Sequence, residues 1–190
     1  MFKKIGVDAI HSSSKIDIEN ADRLILPGVG AFDHGMKHLQ DSGLVSVLNH
    51  EVLEKKKPIL GICLGMQLLL EGSEEGQLPG LGWIKGKCRR FTFQNNNNQL
   101  KVPHMGWNVV QSSNYISSQS EPQTETRYYF VHSYHAVCDE PENILATAHH
   151  GYPFPAIIGR DHILGAQFHP EKSHKFGMNF LKNFVERPLC

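Results

Sequence analysis

No apolar stretch in this chain is long enough to cross a bilayer; the longest, such as Pro58 to Leu70, are interrupted by glycines. The opening Met1-Phe2-Lys3-Lys4 has the basic residues of a secretion signal, but Asp8 and His11 arrive before any apolar core can form. A cytoplasmic protein without membrane contact is expected. Neither sign of charge dominates: 19 Lys and Arg balance 19 Asp and Glu, with no basic stripe and no acidic block. That speaks against nucleic acid as a partner and against a solvating tail. Cysteine is sparse. Cys63, Cys88, Cys138 and Cys190 never fall into C-x-x-C spacing, which argues against a zinc site or a redox pair. There is no internal repeat and no interdomain linker. The 190 residues are therefore read as one domain, 1–190, large enough to bury a core without metals or disulfides.

What is present is concentrated in two strings. Gly61-Ile62-Cys63-Leu64-Gly65 has the G-x-nucleophile-x-G pattern of a sharp strand-to-helix turn, with cysteine at the nucleophile position. The flanking glycines fit a strained backbone that neighbouring chain approaches closely. About a hundred residues later comes Gln167-Phe168-His169-Pro170-Glu171. In an extended stretch, residues i and i+2 point the same way, so Glu171 can hold the His169 imidazole from behind. Together Cys63, His169 and Glu171 spell a nucleophile, a base and an orienting carboxylate. Acyl transfer through a thioester is the chemistry that needs such a triad.

The first half alternates strand and helix, the signature of an α/β fold with a parallel sheet. Strands are expected at Arg23 to Leu26 and Pro58 to Ile62, and helices at Phe32 to Leu53, broken near Ser42-Gly43, and at Met66 to Leu70. Farther on, Trp83-Ile84, Arg90 to Phe93, Trp107 to Val110, Arg127 to Val137, Ile144 to Ala148 and Ile157 to Phe168 read as strands. Asn95 to Asn98 reads as a loop tip and Gln111 to Thr126 as a polar surface excursion. From about Lys172 to Glu186 a final helix places Phe176, Phe180, Leu181 and Phe184 on one face, as core packing. His132, His135, His149 and His150 invite a metal reading. His132 and His135 are three apart on one strand, so they are expected to face opposite sides, and no metal or cofactor is expected.

The two strings, together with Pro27-Gly28-Val29-Gly30-Ala31-Phe32, His104-Met105-Gly106-Trp107-Asn108 and Tyr129-Phe130-Val131-His132-Ser133-Tyr134, resemble the class I glutamine amidotransferases. Within that class they look most like the glutaminase subunits of imidazole glycerol phosphate synthases. The likeness runs in order along nearly the whole chain. It implies an α/β, flavodoxin-like domain with a central, mostly parallel sheet flanked by helices, plus a smaller antiparallel sheet. One departure is large: family members open with a strand and a first helix, and Met1 to Val7 looks like only the tail of that helix. The first strand and most of that helix are thus expected to be absent from this sequence, and a translation start upstream of Met1 is favoured over a truncated, compromised protein.

The resemblance also assigns roles. Cys63 would attack the side-chain amide of glutamine, with His169 as base and acid and Glu171 behind it. Leu64, just after the nucleophile, supplies the first oxyanion donor through its backbone amide. The second is implied in the Gly28-Val29-Gly30 turn, through the Val29 amide. Gly28, Gly30, Gln67, Ser133 and Tyr134 would bind the substrate. Trp107 is either core or a partner-facing aromatic, and Lys172 either a solvated lysine or an interface charge. The implied partner is a cyclase subunit with a (β/α)₈ barrel, forming a heterodimer that receives ammonia for histidine biosynthesis. Three other readings stay open: a paralogous subunit supplying ammonia for sugar amidation, a partner-binding protein without catalysis, and a cysteine peptidase or γ-glutamyl hydrolase.

Overall fold

The computed structural model describes residues 1–93, 100–112 and 125–186. A 3₁₀ turn at Phe2–Ile5 is followed by helix α1 (Lys15–Asn20) and strand β1 (Leu24–Gly28). Helix α2 (Phe32–Asp41) buries Phe32, Met36 and Leu39, whose helical spacing makes one apolar stripe. Helix α3 (Leu44–Asn49) runs on into a π turn at His50–Glu54. Strand β2 (Ile59–Cys63) is buried at every position, which its unbroken apolar run requires, and passes without a loop into helix α4 (Leu64–Leu68).

The second half is strand-rich: β3 (Gly72–Ser73), β4 (Gly86–Arg90), β5 (His104–Val109), β6 (Gln111–Ser112), β7 (Arg127–His132), β8 (Tyr134–Cys138), β9 (Ile144–His150), β10 (Tyr152–Arg160) and β11 (Ile163–Ala166). A 3₁₀ turn at Pro170–Lys172 leads into helix α5 (His174–Glu186), which buries Phe180, Leu181 and Phe184. Among the described residues no helix is long and apolar enough to cross a membrane.

Six strands form the main sheet in the order β1-β2-β11-β10-β9-β6. Alternation along its strands splits the core in two. Ile59, Ile158 and Ile163 face one apolar cluster, shared with α2, α3 and α4. Leu60, Ile157 and Leu164 face the other, shared with α5 and β7. The Gly61-to-Gly65 string thus sits at the end of β2, a fully buried strand inside the sheet, between two packed layers.

The class is α/β as expected, with the sheet more antiparallel than expected. Only β1, β2 and β11 run parallel; the β11-β10, β10-β9 and β9-β6 pairings are antiparallel. Two smaller sheets accompany it rather than one, β3-β4-β8 and β5-β7. Trp83 and Ile84 are buried but form a bend, and the strand expected at Arg90 to Phe93 lies earlier, at Gly86–Arg90. Arg127 to Val137 divides at Ser133 into β7 and β8, which belong to different sheets. Ile157 to Phe168 divides at the Asp161-His162 turn into an antiparallel pair. Of the polar excursion, Gln111 and Ser112 pair with β9. Residues 113–124 and the Asn95 to Asn98 tip lie outside the described residues.

Candidate active site

Cys63 ends β2 and caps α4 with φ 53° and ψ −108°. A positive φ is costly for a side chain with a Cβ, and persists where the surrounding structure enforces it. Close packing enforces it here. A Cβ on Gly65 would land on the Leu26 carbonyl oxygen, and one on Gly61 would lie 2.6 Å from the Gly65 carbonyl oxygen. Only hydrogen fits at either place, so α4 leaves the strand at a sharp angle and the thiol is presented at the turn. Sγ lies 4.0 Å from the Val131 carbonyl and 3.9 Å from Gln167 Nε2, both long contacts for sulfur.

His169 enters from the loop after β11. Its amide donates to the Tyr129 carbonyl at 2.9 Å, and its carbonyl accepts the Ser173 hydroxyl at 2.7 Å. Ser173 Oγ also accepts the Tyr129 amide at 2.9 Å, so one buried serine fastens His169 to β7. Nδ1 of His169 donates to Glu171 Oε1 at 2.7 Å. Nε2 is buried and makes no hydrogen bond. The Cys63 side chain, first, and Glu171, second, favour a proton on the ring against the effect of burial, raising its pKa to about 9. Burial pushes the Glu171 carboxyl up, but the His169 hydrogen bond, the residue's own amide and the charge of Lys172 bring it below its ordinary value.

The Gly28-Val29-Gly30 turn lies directly beside the nucleophile, because Gly28 is the register partner of Cys63 across the parallel β1-β2 pair. Gly30 has φ 98° and Val29 is exposed. The turn is anchored from behind. The Phe32 amide donates to Glu75 Oε2 at 2.8 Å, and Asp33 accepts the amides of Gln77 and Leu78 at 2.9–3.0 Å. Leu64 opens α4, so its amide is one that the helix cannot satisfy internally.

Gln67 is buried on α4 and donates to the Tyr134 carbonyl at 3.1 Å and to Gln167 Oε1 at 3.2 Å. Gln67, Gln167 and Cys63 therefore form one polar row behind the thiol. Tyr134 opens β8, and the Ser133 carbonyl accepts the Phe91 amide at 3.0 Å. Trp107 is exposed on β5, parallel to the His174 ring at 5.7 Å; Lys172 Nζ lies 5.7 Å from the centre of the Tyr129 ring. Trp107 is thus not core. Its patch adjoins the His169 loop.

Sequence reasoning passed over two residues. Gln167 lies inside the second string, where its spacing suggests no role, and Glu75 acts on the turn from a loop distant in sequence. It also erred on His132 and His135. Both are buried and both pack on Phe91, at 5.3 and 4.6 Å between ring centres, because the chain changes sheets at Ser133 and resets the alternation. Among the described residues no group of three or more His, Cys, Asp or Glu is arranged to hold a metal ion.

A sequence profile of the glutamine amidotransferase class-I family matches residues 3–187. The chain is 51% identical over 186 residues to "Imidazole glycerol phosphate synthase subunit HisH 2" of Pseudomonas aeruginosa, covering 98% of this chain and 91% of that protein. It is 47% identical over 187 residues to the protein of the same name in Methanococcus maripaludis, with the same coverage. In three dimensions it is similar to a crystal structure described as a glutamine amidotransferase, with TM-score 0.72 and 17% identity over 96% of this chain and 88% of that one. A cysteine held at a forced turn, a histidine oriented by a carboxylate and a likeness that spans almost every residue lead to one conclusion: the chain belongs to the class-I glutamine amidotransferases.

Proposed function

We propose that this protein is the glutaminase subunit of an imidazole glycerol phosphate synthase, hydrolysing glutamine to glutamate and ammonia for use by a partner subunit. The observation that carries the reading is the state of His169. One ring nitrogen is held by Glu171, and the other is buried without a partner of ordinary hydrogen-bond geometry, while the Cys63 side chain favours a proton on the ring. That is the arrangement of a histidine that takes the thiol proton and holds it for the leaving nitrogen.

Glutamine enters with its side-chain amide at Cys63. The sulfur attacks the amide carbon as His169 carries the thiol proton. The oxyanion is met by the backbone amides of Leu64 and Val29; losing one such donor typically costs about 10²–10³ in rate. The carbon–nitrogen bond then breaks, His169 gives its proton to the departing nitrogen, and ammonia leaves a glutamyl thioester on Cys63. Water, deprotonated by His169, attacks the thioester; glutamate departs and the thiol is restored. Gly28, Gly30, Gln67, Ser133 and Tyr134 hold the substrate. No cofactor is required.

Ammonia released into water would be protonated and lost as a nucleophile, so the product needs a sheltered route to its acceptor. A heterodimer with a (β/α)₈-barrel cyclase, in the cytoplasm, meets that need. Met105 and Trp107, both exposed on β5, and Lys172 beside the base loop form the docking face. Aromatic residues of this kind are favoured anchors in protein interfaces.

The test is glutamate release from free glutamine with and without the cyclase and its nucleotide. Wild type is expected to turn over faster in the occupied complex, and Cys63→Ala to lose at least about 10⁴-fold. Equal turnover with and without partner would remove the subunit assignment. Activity of a sugar-amidating partner, with none of the cyclase, would redirect the ammonia to another acceptor.

A further inference from the structure

Behind the polar row at Cys63 lies a second, buried one. The Tyr134 carbonyl accepts two hydrogen bonds, from Gln67 Nε2 at 3.1 Å and from His132 Nδ1 at 2.8 Å. His132 Nε2 lies 3.0 Å from His104 Nδ1, and His104 Nε2 lies 3.1 Å from Asn108 Nδ2. Asn108 Nδ2 also donates to the His149 carbonyl at 2.8 Å, while its Oδ1 accepts the Val109 amide at 2.8 Å.

The protons in this row can be placed from both ends. The His149 carbonyl fixes Asn108 Nδ2 as a donor, so His104 Nε2 must be the acceptor and His104 Nδ1 must carry the hydrogen. That hydrogen goes to His132 Nε2, which leaves His132 Nδ1 protonated. Starting instead from the Tyr134 carbonyl, which can only accept, gives the same assignment. Every bond runs in one sense, from Asn108 to Tyr134, and the sense requires both imidazoles to be neutral. Burial provides that condition, first among the causes, holding His104 at about 4 and His132 at about 3. The rings are also held by packing: His104 lies 4.3 Å from His150 and 4.9 Å from Phe130 between ring centres.

We propose that His104 and His132 are positioning residues for the glutamine pocket, fixing the Tyr134 carbonyl and through it the carboxamide of Gln67. The proposal rests on the glutaminase reading and deepens it. Neither histidine touches Cys63 or substrate. Their effect is to leave the Tyr134 carbonyl no freedom to turn, so that Gln67 meets it in one orientation and keeps its other hydrogen bond for Gln167. The same strand alternation that points His104 and Asn108 inward puts Met105 and Trp107 on the outer face of β5.

Asparagine and glutamine separate positioning from bulk packing. The Nδ2 of Asn can stand where His Nδ1 stands, whereas Gln reaches only the place of Nε2. His132→Asn therefore keeps the donor to Tyr134 and His132→Gln loses it. The readout is the rate of Cys63 alkylation by 6-diazo-5-oxo-L-norleucine, a glutamine-shaped electrophile, divided by the rate with iodoacetamide. Melting temperature and the KM and kcat for glutamine in the partner complex are followed alongside. His132→Gln is expected to lower the ratio about tenfold and to raise KM more than it lowers kcat, the size of one lost hydrogen bond. His132→Asn is expected to stay within about threefold of wild type. If His132→Gln does not fold, His104→Gln and His104→Asn repeat the comparison, since only the second keeps the donor to His132. Gln and Asn variants that behave alike, whether unchanged or lowered together with melting temperature, would overturn the proposal. Failure of the glutaminase reading is distinguishable, because wild type itself would then show no preference for the glutamine-shaped reagent.

Discussion

His169 and Glu171 are two positions apart in the chain and 2.7 Å apart in space, joined through Nδ1 and Oε1. The stretch is not extended as expected: the proline between them opens a 3₁₀ turn, with His169 as its cap, so the carboxylate curls back behind the ring. The imidazole consequently has one nitrogen committed and one free for the thiol. Its pKa, raised to about 9 by Cys63 first and Glu171 second, is above the ordinary value of 6.5. The charged ring therefore stabilises the folded protein fully below pH of about 6.5, and that contribution is lost as pH rises through about 9. Titration of the ring by NMR is expected to report this high value in wild type and a lower one in Cys63→Ala. A ring titrating near 6.5 in both proteins would show that the sulfur does not hold the proton.

Glu171→Gln keeps the shape of the carboxylate and removes its charge. The side chain is half exposed, so the fold is expected to survive with little change in melting temperature. Turnover is expected to fall by about 10²–10⁴, the range for a base that has lost its orienting carboxylate. Kinetics beside thermal melts check both parts, and a variant that turns over at the wild-type rate would remove Glu171 from the triad.

Phe168 connects stability to catalysis. It is fully buried, stacks on Tyr128 at 3.7 Å between ring centres and meets Phe180 edge-on at 5.1 Å. Its chain neighbours are Gln167, next to the thiol, and His169. Phe168→Ala is expected to cost about 3–5 kcal/mol in denaturant unfolding. It should also reduce glutamine turnover in the fraction that remains folded, because the cavity frees both neighbours.

Trp107→Ala tests the docking face. The ring is 47% exposed and packs parallel to His174. Loss of the ring should leave the melting temperature almost unchanged and weaken binding of the proposed partner subunit by about 2 kcal/mol or more, the cost typical of an aromatic anchor. Titration calorimetry with the partner reads this directly; unchanged affinity would move the interface elsewhere.

The geometry of the candidate triad was legible because its chemistry is written locally. A cysteine between two glycines forces its own turn, and a histidine two places before a glutamate needs no distant information to form a pair. The parallel strands β1 and β2 were legible for a similar reason, since each is a short apolar run ended by turn residues. What was not legible depended on where one strand stops. Nothing around Ser133 breaks the β pattern, yet the chain crosses there from the β5-β7 sheet to the β3-β4-β8 sheet. That crossing puts His132 and His135 on one aromatic cluster and brings the Tyr134 carbonyl to Gln67. The Asp161-His162 turn hid the β10-β11 pair in the same way, inside a stretch of apolar residues that reads as continuous.

Trapping the intermediate on Cys63 is the most direct test. Protein assembled with the proposed partner subunit would be mixed with glutamine, quenched in acid during turnover and digested for mass spectrometry. One glutamyl group on the peptide carrying Cys63, absent from Cys63→Ala, is the expected result. Glutamate accumulating at the full rate while that peptide stays unmodified, or in the alanine variant as fast as in wild type, would contradict it.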